Sequence, residues 1–67
     1  MWDGAPYRFE QLDRRSGYLY VRPEDRQVAQ QIAELHHSLG FAPDGPVTGA
    51  VHPELGPCLR YYCVRDR

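Results

Sequence analysis

Eight side chains are the best equipped in this chain to make contacts with another molecule: Tyr18, Tyr20 and Tyr62, with Arg8, Arg14, Arg15, Arg22 and Arg60. Tyrosine brings a large rigid area with a polar tip. Arginine brings a flat guanidinium that bonds in pairs and stacks on rings, and both types are enriched among binding hot spots. Most of them fall in segments that alternate like strands, interleaved with Tyr7, Phe9, Tyr61 and Arg65. The plainer reading is that tyrosine is a good strand former and arginine keeps a surface soluble.

The same residues allow a second chemistry, in which single-stranded RNA or DNA bases stack on tyrosine while arginine follows the backbone. Two features weaken it: no glycine-aromatic motif of the RNA-recognition type occurs, and the net charge is −1 rather than basic. Glu10 also interrupts the basic residues. Arg14-Arg15 remains the best candidate for a phosphate or acidic-patch contact.

A third chemistry would use His36, His37, His52, Cys58 and Cys63. Adjacent helical histidines diverge by about 100°, so His36 and His37 cannot both join one site easily, and neither Cys-x-x-Cys nor His-x-x-x-His spacing occurs. A zinc site built from one helix histidine with His52 and Cys58 would depend wholly on the fold. No metal or other cofactor is therefore expected. The two histidines suit the last turn of a helix, where positive charge meets the dipole, and strand cysteines serve as small apolar residues. For catalysis, a Cys58–His52 nucleophile–base pair lacks an identifiable orienting group. Asp3, Glu24, Asp25 and Glu34 read as solvated or dipole-complementing charges, and no phosphate-cradling glycine loop is present. The expectation is a protein that is not an enzyme.

Cys58 and Cys63 are five positions apart, an odd separation that turns them to opposite faces of one strand, too far apart for a disulfide. Two separate thiols suit a reducing compartment. The first residues lack a signal-peptide pattern and no apolar run could span a bilayer, so a cytoplasmic protein with no membrane contact is expected.

These side chains must be positioned by very little material, since 67 residues allow one small domain, residues 1–67. Leu, Ile, Val and Phe make up 14 of the 67 residues, just above the level typical of disordered chains. Lys and Asn are absent, and all 8 basic residues are Arg. That bias matches a high-GC coding genome, and a physical preference for arginine contacts would produce it too.

Alternation predicts a hairpin over residues 7–22, from a strand at about 7–12, a polar loop at 13–17 in which Gly17 can take positive φ, and a strand at 18–22. Pro23, followed by Glu24 and Asp25, marks the start of an amphipathic helix over 23–39. Its stripe is Val28, Ile32, Leu35 and Leu39, widened by Ala29 and Ala33, with Gly40 as terminator and Phe41 folding back. Residues 42–46 read as a turn and 47–51 as a short strand weakened by Gly49. Another prolyl loop covers 52–57, and a strand covers 58–64, so that 47–64 forms a C-terminal strand or hairpin. Residues 65–67 form a polar tail.

The predicted fold is α+β in β-β-α-β-β order, with a small antiparallel sheet of three or four strands packed on one amphipathic helix. One helix covers one face, which leaves the other to water or a partner. The expected function is a non-enzymatic module that binds another protein through the Tyr/Arg face or an edge strand. Small inhibitors and adaptors, including those of phages and mobile elements, are built on this scale. A homodimer is an economical variant, because a core of this size contributes only about 3–5 kcal/mol.

Overall fold

The computed structural model describes residue 2 and residues 4–65; Asp3, read from sequence as a solvated charge, and Asp66 and Arg67 of the expected polar tail lie outside the described residues. The elements are β1 (Tyr7–Gln11), β2 (Ser16–Val21), α1 (Val28–Leu39), β3 (Ala42–Pro43), β4 (Thr48–His52) and β5 (Gly56–Val64). All strands join one antiparallel sheet.

The β1–β2 hairpin forms as alternation predicts, because Asp13 organises its loop. The Asp13 carboxylate accepts the backbone N–H groups of Arg15 at 2.8 Å and Ser16 at 2.9 Å, as acidic turn residues do. Those bonds hold its carboxyl below the usual range, the Arg15 N–H contributing most. Gly17 is needed for a different reason from the one expected. It lies inside β2 without positive φ, and a Cβ there would stand 2.5 Å from the Phe9 ring and 2.9 Å from the Glu10 carbonyl. Glycine at 17 makes room for Phe9 to cross the sheet.

β5 runs through the middle, paired with β2 on one side. On its other side β4 pairs with residues 56–60 and β3 with residues 63–64, so β3 and β4 lie end to end. The sheet is thus four strands wide and contains five strands. Residues 42–43, expected within a turn, add the extra strand, because the helix cap returns the chain alongside the end of β5. The Asp44 N–H extends this pairing by donating to the Tyr62 carbonyl at 2.8 Å.

The helix begins later than predicted. Pro23 occupies the second position of a turn closed by the Asp25 N–H on the Arg22 carbonyl at 3.0 Å, where its fixed φ is equally suited. The Asp25 carboxylate then takes the Gln27 N–H at 2.7 Å, and the helix follows from Val28. No acidic residue stands in its first turn, which removes Glu24 and Asp25 from the role expected of them there. At the other end the prediction matches: Gly40 adopts the left-handed conformation at φ 82°, its N–H bonded to the His36 carbonyl, and Phe41 is buried beside Leu35.

The helix stripe is rotated relative to the predicted one. Val28, Ile32 and Leu35 face the sheet together with Gln31, whereas Ala29, Ala33 and Leu39 are exposed. Residues 28, 31, 32 and 35 share one face; 29 and 33 lie round the cylinder from it. The core between helix and sheet is built from Leu19, Val21, Leu35, Phe41 and Cys63, with Tyr7, Phe9, Val28, Ile32, Leu59 and Tyr61 around it. Phe9 packs on Phe41 at 4.7 Å between ring centroids.

The opposite face is not left bare. Tyr20, Leu55 and Cys58 form a second buried cluster there, flanked by Trp2, Tyr18 and Ala50. The turn between β4 and β5 folds Leu55 over this face and the N-terminal segment contributes Trp2, so part of the face expected to be open is covered by the chain itself. Cys58 lies on this side and Cys63 on the helix side, both buried and free, as their odd separation predicts.

Candidate binding face

The register places Arg8, Tyr20, Arg60 and Thr48 in one row across the sheet, and Glu10, Tyr18 and Tyr62 in the next. These side chains share the face away from α1, since their neighbours Phe9, Leu19 and Tyr61 line the helix-side core. Of the eight residues singled out in the sequence, Arg8, Tyr18, Tyr20, Arg60 and Tyr62 belong to these rows. Arg22 extends the same face just beyond β2. Arg14 and Arg15 do not join it; they sit exposed in the β1–β2 loop.

One half of the face is a polar lattice. Nδ1 of His52 lies 3.0 Å from the Glu54 N–H and 3.3 Å from that of Leu55, and Nε2 lies 2.7 Å from a Glu10 carboxylate oxygen. Backbone N–H groups only donate, so Nδ1 accepts and the ring proton sits on Nε2, donated to Glu10. His52 is thus buried, 8% exposed, with both nitrogens committed and its ring edge-on to Tyr20 at 4.8 Å. Arg8 donates to Glu54 at 2.7 Å and stands 3.9 Å from Glu10. The lattice ties β1 to the β4–β5 turn and takes up the charge of Arg8 internally.

The other half is aromatic. Tyr62 meets Tyr18 edge-on at 5.8 Å, and Tyr18 leans on Tyr20 at 6.2 Å. The Arg60 guanidinium lies 4.5 Å over the Tyr18 ring, and that of Arg22 lies 5.4 Å over Trp2. Each places a cation on a ring face, the favoured geometry. Tyr20, 7% exposed, is the floor of this half, whereas Tyr62 is 41% exposed. The accessible surface is the strip Tyr62–Tyr18–Arg60, with Arg22 and Trp2 beyond it.

The catalytic pair considered from sequence does not assemble. The Cys58 thiol is directed to the Ala50 carbonyl at 3.6 Å, and the partners of His52 are Glu10 and the turn backbone. The three-residue zinc arrangement does not assemble either, because His52 and Cys58 lie on one side of the sheet while His36 and His37 are exposed on the helix across it. Among the described residues there is no group of three or more His, Cys, Asp or Glu side chains that could hold a metal ion, and no helix is long and apolar enough to cross a membrane. A shallow depression lies between Gly4–Pro6, the turn at 22–27 and Gln31.

Sequence reasoning missed the partnership of His52, Glu10 and Glu54 and the covering role of Leu55 and Trp2. A leucine inside a prolyl loop was the available sign, since an apolar side chain in a tight turn needs a surface to cover. The lattice itself spans 42 positions between Glu10 and His52 and leaves no local pattern. Comparison of the chain with family models, curated proteins and solved structures gives no match.

Proposed function

We propose that this domain is a non-enzymatic protein-binding module, an inhibitor or adaptor, whose contact surface is the strip Tyr62–Tyr18–Arg60. The observation that carries the reading is the pairing of the exposed Tyr62 and half-buried Tyr18 with a guanidinium that no carboxylate among the described residues neutralises. Arg8 is already matched by Glu54, so among the described residues Arg60, with Arg22 beyond it, supplies the charge on this face left for a partner. Tyr20 and the His52 lattice hold the strip in place from below. Such a rigid floor lowers the entropy lost when the exposed rings are fixed by contact. Two buried thiols on opposite sides of the sheet fit a reducing, cytoplasmic setting.

The reading favours protein over single-stranded nucleic acid for a geometric reason. Arg60 occupies the face of Tyr18 on which a base would stack, and Tyr62 presents its edge to Tyr18 rather than a parallel platform. The test is capture from the native cell with immobilised wild type and with Arg60→Ser/Tyr62→Ser. The expected result is a protein partner recovered in stoichiometric amount by the wild type and lost with the double variant. Recovery of RNA that fades steeply with salt, or a partner retained by the folded variant, overturns the proposal.

A further inference from the structure

The sheet has three edge segments, and they are protected unequally. Edge strands are normally blunted by charge, proline, brevity or a bulge. β1 carries Arg8 and Glu10, and β3 is two residues long and contains Pro43. β4, five residues long, contains no acidic or Arg side chain and no proline. Val47 just before it and Val51 within it are 43% and 79% exposed, and among the described residues no atom beyond its chain neighbours lies within 4 Å of the place a Gly49 Cβ would occupy.

The free hydrogen-bonding groups of this edge follow from the register. The Asp44 N–H bonds to the Tyr62 carbonyl, so Tyr62 turns its backbone groups toward the β3–β4 side of β5. Alternation along an antiparallel ladder turns those of Arg60 and Cys58 the same way, and their partners Thr48 and Ala50 point inward to meet them. The N–H and C=O groups of Gly49 and Val51 point outward. Pro57, opposite Val51 and without an N–H, fits this phase.

The exposed segment Val47-Thr48-Gly49-Ala50-Val51 reads nearly the same in both directions about Gly49. We infer that β4 is a homodimerisation edge, occupied by β4 of a second copy, antiparallel and in the register that places Gly49 opposite Gly49. That register sets Gly49 against Gly49, where the outward groups of the two copies exchange bonds, and extends β4 by one residue so that Val47 of each copy meets Val51 of the other. The pairing is isologous, about a two-fold axis normal to the sheet. It joins both sheets with both helices on one side, and covers valines that α1 leaves uncovered. The valines lie on the helix side, so the inference stands independently of the tyrosine strip on the other face.

Sedimentation velocity over a series from low to high micromolar tests it. The weight-average mass is expected to rise from the 7.8 kDa of one chain toward twice that value. Val51→Lys changes a side chain with no packing to lose, so its circular dichroism should match wild type, and its dimer dissociation constant should rise at least about tenfold through two buried-edge charges. Leu12→Lys, at an exposed residue beside β1, should keep the wild-type mass curve. In amide exchange, Gly49 and Val51 should gain protection with concentration while Phe9 on the β1 edge does not. A strict monomer at high micromolar, a dimer indifferent to Val51→Lys, or protection gained at β1 instead would each overturn the inference.

Discussion

At the scale of single residues, the decisive groups are those that let two faces of one thin sheet both be filled. Gly17 is one: its missing side chain is the space in which Phe9 lies. Gly17→Ala should cost about 1–3 kcal/mol, an ordinary overpacking penalty, and lower the urea midpoint. Gly49→Ala meets no atom of the described residues beyond its chain neighbours, and removal of glycine's extra freedom from a strand should leave the midpoint unchanged or raised. His52 is another. His52→Ala removes the acceptor of two backbone N–H groups and opens space beside Tyr20, and should cost about 2 kcal/mol in the same experiment. Cys63 is the third, because burial pushes its thiol upward from the ordinary value. Folding thus favours the protonated thiol; its contribution is fully present below the unfolded thiol's range and is lost as pH rises above it. Native protein should accordingly resist iodoacetamide at Cys63 and react rapidly once urea is added. Retained native reactivity would contradict the packing described.

At the scale of elements, what could be read from sequence was what depends on near neighbours. Alternation at about 7–12, which ends one residue earlier as β1, and at 58–64, glycine termination at Gly40 and the opposed cysteines needed only the period of a strand and the chirality of a helix end. The helix start escaped because Pro23 serves a β-turn as well as a first helical turn; the Asp25 bond to Arg22 decides between them. β3 escaped because two residues ending in proline carry no strand pattern and pair only once β5 is beside them. The half-covered tyrosine face escaped for a similar reason: Leu55 and Trp2 reach it from distant parts of the chain. The β1–β2 loop gives an element-scale test with a defined sign. The Asp13 carboxyl is lowered by bonds to Arg15 and Ser16, so its support of the loop is present above the unfolded carboxylate's range and is lost as pH falls through the lowered value. An NMR titration should find the Arg15 and Ser16 amides shifting together, with a midpoint below that of an unstructured aspartate. In Asp13→Ala that transition should vanish.

At the scale of the whole molecule, a near-zero net charge conceals a sorted surface. Arg8, Glu10, His52 and Glu54 satisfy one another on one half of the outer face, while the other half holds tyrosine rings and the guanidinium of Arg60. A protein this small gains little by fixing such a lattice for stability alone, because exposed ion pairs contribute only about 0–1 kcal/mol each. In the proposed reading its larger effect is to hold the floor beneath the strip Tyr62–Tyr18–Arg60 and to withdraw competing charge from beside it. The most direct measurement of that account is the paired capture from native cells with wild type, with Arg60→Ser/Tyr62→Ser, and with Leu12→Ser as a surface control, all shown to be folded by circular dichroism. The account predicts one protein partner recovered equally by wild type and control, and reduced at least about tenfold in the double variant, as loss of a hot-spot pair requires. Equal recovery by all three would contradict it.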